Sequence, residues 1–240
     1  MTTSKTRTPD WLLERIANRE GLGAILADGV KRAAEHFGRE TGDFAIHVKG
    51  LEIPGYEPRS LKGYGLSMAT SNIGGSHMYG RPRDELAGQV DPYAESGKGA
   101  SIARTQADQA VEDSLIACTF GNSGLTPEDY ANFLAAGTGL AELSTPEALR
   151  LAGERILCVE RSFNIREGFS RKDDTLPGRM LREPLVNAGP ATGQTVAHLD
   201  QLLDEYYASL GYTADGVPTK EKLAELGLAG DSRGLVPSVG

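Results

Sequence analysis

Hydrophobic residues recur every three or four positions through most of this chain, which is the spacing that buries one face of an α-helix. In the segment 195–210, for example, Leu199, Leu202, Leu203 and Tyr206 fall on one side of an ideal helix. The predicted helices cover 9–20, 25–37, 62–71, 101–118, a segment that starts at 126, 145–168, 195–210 and 219–226.

The predicted helix boundaries are marked by two kinds of residue. Thr-Pro pairs stand at 8–9, 126–127 and 145–146, and an acidic residue follows each pair. A threonine N-cap, a proline in the first turn and a negative charge near the positive end of the helix all favour a helix start. Glycines such as Gly38 favour a helix end, because glycine readily takes the left-handed conformation of a C-cap.

Two segments depart from the helical period. Residues 43–48 alternate apolar and polar side chains and predict a short strand. Residues 50–99 are rich in glycine and proline and predict a long ordered loop that contains the helix over 62–71. The predicted fold is therefore a mainly α, irregular multi-helix domain over residues 1–228, followed by a tail over 229–240.

Composition and charge narrow the possible functional classes. The chain carries 25 Lys and Arg against 33 Asp and Glu, a net charge of −8, which disfavours binding to nucleic acid or to an anionic membrane. No apolar run approaches the roughly 20 residues that span a bilayer, and residues 1–7 lack the apolar core of a signal peptide, so we expect a cytoplasmic protein. Two cysteines, Cys118 and Cys158, make neither a disulfide framework nor a self-sufficient metal site.

Three residues are candidates for chemistry. Cys118 ends a predicted helix before a Gly-Asn turn, so its thiol can face a neighbouring site, although a buried core thiol is the more common role. Asp113 lies about 140° around an ideal helix from Cys118, so both reach one ligand only if the helix loosens between them. His77 follows the Gly-Gly pair at 74–75, where the backbone can approach a ligand closely and an imidazole can serve as acid or base. An exposed histidine in a turn is the alternative.

The remaining polar clusters are expected to be structural. His36 ends a predicted helix, and His47 lies beside the predicted strand. The dense run of positive and negative charges over 166–174 is typical of a solvated face. An ion-pair network that fixes a loop is the alternative for this run.

Five groups of residues, in order along the chain, carry a recognisable pattern. They are Leu-Gly-Ala-Ile-Leu-Ala-Asp-Gly-Val-Lys-Arg-Ala-Ala at 22–34; His-Val-Lys-Gly-Leu-Glu-Ile-Pro at 47–54 with Ala-Thr-Ser-Asn at 69–72 and His77; Asp-Ser-Leu-Ile-Ala-Cys at 113–118; Glu-Arg-Ser-Phe-Asn-Ile-Arg-Glu-Gly-Phe at 160–169 with Arg-Lys-Asp-Asp at 171–174; and Leu-Asp-Glu-Tyr-Tyr at 203–207 with Gly-Val-Pro-Thr-Lys-Glu-Lys-Leu at 216–223. Taken together, they resemble the C-terminal part of the tungsten-dependent aldehyde ferredoxin oxidoreductase family.

This resemblance implies a fold and an activity. Members of the family enclose a bis-pterin tungsten or molybdenum centre (tungstopterin) and a [4Fe-4S] cluster between an N-terminal β domain and two helical domains. They oxidise an aldehyde to a carboxylic acid and pass the electrons to ferredoxin. The chain would then be the C-terminal portion or a subunit of such an enzyme, inactive in isolation and completed by a partner chain that carries the missing domains.

The resemblance also implies roles for four positions. Cys118 matches the fourth ligand of the cluster, in agreement with the need of cluster iron for thiolates. Asp113 matches an acid that contacts the pterin, whose ring N–H groups suit a carboxylate acceptor, and Leu115 lies in the same motif. His77 matches a histidine near the tungsten that handles a proton during aldehyde oxidation.

The chain departs from the family pattern at several positions. The family motif Asp-x-x-Gly-Leu-Cys has Ile116 and Ala117 in place of Gly and Leu. Ile73 and Tyr79 stand where basic residues are common, and the neighbouring Arg81 or Arg83 is the residue that can compensate. These substitutions leave open a second class, a cofactor-free helical module that binds another protein or is an inactive remnant. A third reading is a relative that acts on an acyl-CoA or a sugar phosphate.

Overall fold

The computed structural model of the chain describes residues 9–38, 40–121 and 124–230, and helices dominate this part. The α-helices are α1 (Pro9–Ala17), α2 (Leu22–Leu26), α3 (Gly29–Phe37), α4 (Lys62–Thr70), α5 (Arg83–Leu86), α6 (Gly99–Ser114), α7 (Pro127–Thr138), α8 (Pro146–Arg166), α9 (Gly178–Arg182), α10 (Leu199–Leu210) and α11 (Lys220–Glu225). The strands are β1 (His47–Val48) and β2 (Leu51–Glu52), and 3-10 turns cover Thr41–Phe44, Ala141–Leu143, Arg171–Asp173 and Gly189–Ala191. The prediction of a mainly α, irregular multi-helix fold is confirmed.

Some predictions fall on residues that the structure does not describe. The start signal at Thr8, the signal-peptide argument for residues 1–7, Asn122 of the Gly-Asn turn and residues 231–240 of the predicted tail all lie outside the described residues. Among the helices that are described, none has both the length and the apolar character needed to cross a membrane.

The main hydrophobic core lies where α4, α6 and α10 meet. Every residue of α4 is buried, and α10 buries the face that its periodicity predicts. Two glycines permit the close packing of α6, because an added Cβ would overlap the backbone of Glu205 at Gly99 and that of Ala107 at Gly153. These contacts bring α10 and α8 against α6, so that α6 is the helix on which much of the fold is assembled.

The predicted threonine caps are confirmed at two helix starts. Thr126 Oγ1 accepts a hydrogen bond from the Asp129 N–H at 3.3 Å, and the Asp129 carboxylate accepts one from the Thr126 N–H at 2.8 Å, which completes a capping box on α7. At the start of α8, Thr145 Oγ1 accepts a hydrogen bond from the Ala148 N–H at 3.2 Å. Thr219 caps α11 in the same way.

The strand predicted over 43–48 is wrong in its extent. Only His47 and Val48 pair, with Glu52 and Leu51 respectively, in a hairpin whose two connecting residues both have positive φ. A two-residue connection of this kind closes the hairpin immediately. Before His47, the Ile46 carbonyl still accepts a hydrogen bond from the Ile53 N–H at 3.2 Å, but no further strand pairing follows among the described residues. Thr41–Phe44 form a 3-10 turn instead, and Phe44 is 75% exposed.

Two helix predictions and one loop prediction also need correction. The helix predicted over 25–37 is divided into α2 and α3 near Asp28. The helix predicted over 101–118 ends at Ser114, so Cys118 is not its last residue. The long loop over 50–99 contains α5 as well as the predicted α4. At four residues, α5 is too short to leave a clear periodic signal.

Asp174 confirms the ion-pair alternative for its part of the charged run. Its side chain is 1% exposed and accepts hydrogen bonds or ion pairs from Lys49 Nζ at 2.8 Å, from Arg161 Nη1 at 2.9 Å and from the Tyr207 hydroxyl. Burial lowers the pKa of Lys49, and the negative charge of Asp174 opposes that shift. The network therefore ties the β1–β2 hairpin to α8 and α10.

Candidate functional site

The chain reverses direction at the end of α6 through a Schellman motif. The N–H of Ile116 donates to the carbonyl of Asp113 at 3.0 Å, and the N–H of Ala117 donates to the carbonyl of Glu112 at 3.1 Å. Ile116 has φ +56° and is 94% exposed. This left-handed position normally holds glycine, and the family motif has Gly at the same place. The substitution has therefore left the turn geometry in place.

Cys118 lies beyond this turn and is exposed. The alternative of a buried core thiol is therefore wrong for Cys118, whereas Cys158 on α8 is completely buried. The carbonyl of Cys118 accepts a hydrogen bond from the N–H of Gly121 at 2.8 Å, so a second turn follows directly. An exposed thiol between two turns is available to a ligand or to another protein.

Asp113 lies on the other side of the Schellman turn and is also exposed. Its carboxylate accepts a hydrogen bond from Gln109 Nε2 at 2.9 Å, which holds the side chain along the helix. Leu115 is half-buried and packs against a small core that includes Val111 and Tyr130. The helix is thus interrupted between Asp113 and Cys118. The spacing in the sequence requires such an interruption if both side chains are to reach one ligand.

His77 is half-buried, which differs from the exposed-turn alternative. Its ring stacks on Tyr56, with the ring centres 4.8 Å apart and the planes inclined by 19°. The Gly-Gly pair before it lies against the hairpin, because an added Cβ on Gly74 would be 2.7 Å from the carbonyl oxygen of Val48. The sequence predicted that the backbone at Gly74 and Gly75 approaches a ligand closely. In the structure this backbone approaches the β1–β2 hairpin of the same chain, and the contact orients the loop that carries His77.

Arg81 links the His77 loop to the Cys118 turn. Its guanidinium lies 6.0 Å from the ring centre of Phe120, and its Nη2 donates to Met78 Sδ at 3.4 Å. Its Nε is buried and has no partner among the described residues. A buried donor without a partner is costly in a protein interior, so Arg81 is a functional candidate. The sequence indicated Arg81 only as a basic residue that can compensate for Ile73 and Tyr79.

Tyr79 does not replace a basic residue at the surface. Its hydroxyl donates to the Glu160 carboxylate and accepts from Asn72 Nδ2 at 2.9 Å. Burial, together with the negative charge of Glu160, raises the pKa of Tyr79 far above its ordinary value. The residue is an interior link between the loop after α4 and α8.

Large apolar side chains are exposed around the Cys118 turn and the loop after α4. Ile116 and Phe120 are 94% and 82% exposed, and Ile73 and Phe163 are also exposed. The segment 64–71 itself is buried. Exposed aromatic and aliphatic residues beside candidate ligands are typical of a surface that another protein covers.

The described residues contain no group of three or more His, Cys, Asp or Glu that could hold a metal ion. The donor set here is one exposed thiol, Cys118, with an exposed carboxylate, Asp113, nearby along the chain. This set fits a single ligand to a cluster whose other ligands come from elsewhere, since a [4Fe-4S] cluster is held by four thiolates.

Comparison with known proteins assigns the chain to a family. A sequence model described as "Aldehyde ferredoxin oxidoreductase, domains 2 & 3" matches residues 3–228. The chain belongs to the aldehyde ferredoxin oxidoreductase family. It is 40% identical over 230 residues to the tungsten-containing aldehyde ferredoxin oxidoreductase of Pyrococcus furiosus, and 38% identical over 230 residues to that of Thermococcus kodakarensis.

These aldehyde ferredoxin oxidoreductase relatives are much longer than the chain. Each alignment covers 93% of this chain and 37% of the relative, and the matched region is the C-terminal part of the relatives. A second type of relative is the aliphatic sulfonate oxidoreductase, WOR-like subunit, of Pyrococcus furiosus, which is 32% identical over 232 residues. The relatives of this chain are therefore named for different substrates.

A solved structure supports the fold independently. The active site complex BamBC of benzoyl coenzyme A reductase, in complex with 1,5-dienoyl-CoA, superposes with a TM-score of 0.67 over 96% of this chain and 41% of that chain. The sequence identity is 23%, so the similarity concerns the fold alone.

Proposed function

We propose that this chain is the C-terminal portion or subunit of a tungsten-dependent aldehyde ferredoxin oxidoreductase. The observation that carries the proposal is the pair of exposed groups, the Cys118 thiol and the Asp113 carboxylate, on either side of the Schellman turn. The Cys118 thiol has no hydrogen-bond partner among the described residues, and the Asp113 carboxylate accepts one hydrogen bond, from Gln109 Nε2. Membership of the family and the names of its relatives support the same activity.

In this proposal the Cys118 thiolate is one of four ligands to a [4Fe-4S] cluster. The other three thiolates belong to a partner chain that carries the N-terminal domains, because Cys158 is buried in the core and offers no second ligand. The exposed Ile116 and Phe120 side chains are covered by that partner. In isolation, the chain is expected to be inactive.

Asp113 and Leu115 are proposed to contact the pterin cofactor, and His77 is proposed to handle a proton. The Asp113 carboxylate can accept hydrogen bonds from pterin N–H groups, while Gln109 keeps it along the helix. The stacking of His77 on Tyr56 fixes the plane of the imidazole. Oriented in this way, the ring can receive a proton from the water that adds to an aldehyde.

The proposed reaction converts an aldehyde and one water into a carboxylic acid, two protons and two electrons. When bound, the tungstopterin and the [4Fe-4S] cluster supply the two-electron oxidation and the path by which the electrons leave. The final acceptor is ferredoxin, and the reaction is proposed to take place in the cytoplasm. His77 accounts for one of the two protons released.

Reconstitution tests this proposal. The chain is expressed together with a chain that carries the family's N-terminal domains, and the purified complex is analysed for tungsten, for iron and for aldehyde-dependent reduction of a viologen dye. We expect Cys118→Ser to lower the iron content by about four atoms per complex and to abolish dye reduction. The control variant Ser114→Ala changes an exposed residue at the same helix end and is expected to retain both.

Two results would contradict the proposal. One is a complex in which Cys118→Ser retains its iron and its activity. The other is a chain that remains a monomer with every N-terminal chain tested and acquires no metal. The second result would instead favour a cofactor-free helical interaction module or an inactive remnant, the alternative that Ile73, Ile116 and Ala117 suggest.

A further inference from the structure

A cleft lies between α6, α7 and α8, beside the small core against which Leu115 and Ala117 of the Schellman turn pack. Its volume is about 50 Å³. Since about 10–15 Å³ of cavity volume accommodates one water-sized group, the cleft has room for about three to five non-hydrogen atoms. The apolar part of its wall is formed by Val111 of α6 and Leu149 of α8, and Leu125 stands beside it, partly exposed.

Two polar groups in this cleft are not satisfied by the chain. Tyr130 is only 8% exposed, and its hydroxyl is buried and has no hydrogen-bond partner among the described residues. The half-buried carboxylate of Asp108 makes no hydrogen bond and no ion pair to any described residue, and burial raises its pKa. A buried hydroxyl and a desolvated carboxylate at one cleft are both costly unless a ligand completes them.

The other charges of the cleft are already paired. Arg83 Nη2 lies 3.0 Å from Glu112 Oε1, and Arg150 is in contact with Glu154. Glu154 also pairs with Lys222 Nζ at 2.7 Å, and the positive charges of Arg83, Arg104 and Arg150 act on the Asp108 carboxylate and oppose the rise in its pKa. Both unsatisfied groups can accept a hydrogen bond, so a hydrogen-bond donor is favoured, and an ammonium group adds a charge opposite to that of the Asp108 carboxylate.

We propose that this cleft is a binding site for a short aliphatic primary ammonium compound. The ammonium group donates to the Asp108 carboxylate and to the Tyr130 hydroxyl oxygen. Its alkyl chain contacts Val111 and Leu149, and a longer chain can leave the cleft past Leu125. The proposed ligand is different from the redox cofactors, and its binding does not depend on the proposed redox function, but the core of the site also supports Leu115 and Ala117.

The proposal is tested with three compounds of similar size, n-propylammonium, 1-propanol and propionate, each titrated into the ¹⁵N-labelled 240-residue chain at pH 8. Backbone amide shifts are followed by NMR. We expect n-propylammonium to bind with a Kd on the order of 1–10 mM, as small ligands do, and to shift amides of α6, α7 and α8. 1-Propanol should bind at least tenfold more weakly, and propionate should not bind.

Variants identify the groups responsible. Asp108→Asn should weaken n-propylammonium at least tenfold, and Tyr130→Phe should weaken it several-fold, with the circular dichroism spectrum unchanged. Asp43→Asn removes an exposed aspartate elsewhere and serves as the control for the loss of one negative charge. If Asp108→Asn does not fold, the binding of n-propylammonium to Tyr130→Phe and the comparison of the three compounds still test the proposal. Equal binding of propionate, equal binding to Asp108→Asn, or no shift in the cleft up to 50-fold the expected Kd overturns the proposal.

Discussion

The left-handed conformation of Ile116 makes a quantitative prediction about stability. A non-glycine residue pays roughly 1–2 kcal/mol for this conformation, and a β-branched residue is a marked exception there. The same two-bond pattern ends α8, α10 and α11, where the left-handed residue is Gly168, Gly211 and Gly227. Ile116→Gly should therefore remove conformational strain at the end of α6.

The expected gain follows from three contributions. Glycine relieves the roughly 1–2 kcal/mol of strain but loses about 0.4–1 kcal/mol through its greater freedom in the unfolded chain. Because the Ile116 side chain is 94% exposed, its removal gives up almost no buried apolar area. Ile116→Gly should thus raise the free energy of unfolding by about 0.5–1 kcal/mol, which corresponds to about 1–4 °C in Tm for a protein of this size.

Urea unfolding, followed by circular dichroism, and scanning calorimetry measure this difference. Two variants serve as controls. Ile116→Ala keeps the Cβ and should recover much less, and Ile73→Gly, at an exposed isoleucine without positive φ, should lower stability by about 0.4–1 kcal/mol. The reasoning is refuted if Ile116→Gly is less stable than the parent chain, or if Ile116→Ala gains as much as Ile116→Gly.

Three further predictions concern buried charge, thiol access and pH. Asp174→Asn should lower the free energy of unfolding in urea by about 3–5 kcal/mol, since it leaves two buried cations without their anion; a loss below about 1 kcal/mol would contradict this. Titration with a thiol reagent should modify Cys118 alone in the native protein and Cys158 only after unfolding, because Cys158 is completely buried; rapid reaction of two thiols would contradict it. The hydrogen bond from the Val30 N–H lowers the pKa of Glu52 below its ordinary 4.5, so its stabilisation is present above that pH and is lost as the pH falls through the lowered value. Glu52→Gln should cost about 0.5 kcal/mol at pH 7 and nothing at pH 2, and an equal cost at both would refute the assignment.

Much of the helical framework could be predicted because its signals are local. Thr126 and Thr145 satisfy the first N–H groups of α7 and α8 with their own side chains, so no distant residue is needed to start these helices. The buried face of α10 follows from spacing alone. The strand predicted at Phe44 is wrong because a strand, unlike a capped helix, depends on a distant part of the chain. It requires a partner strand, and alternation within 43–48 does not say whether one exists.

The candidate site was only partly predictable. The motif over 113–118 indicated Cys118 and Asp113, but their exposure depends on where α6 ends. Arg81 became a clear candidate only when its Nε was seen to be buried without a partner. No local pattern distinguishes such an arginine from an ordinary surface residue.

The sequence by itself determined most of the helices, the threonine caps of α7 and α8 and the family to which the chain belongs, since each depends on residues that are neighbours along the chain. Only the tertiary structure decided the turn at Ile116 and the pairing of Lys49 with Asp174. A β-branched residue disfavours the left-handed conformation locally, and it is held there because Leu115 and Ala117, on either side, pack against a core that includes Tyr130. The ion pair joins residues far apart in the chain, so its energy is gained only after α8 and α10 have brought Asp174 to the hairpin.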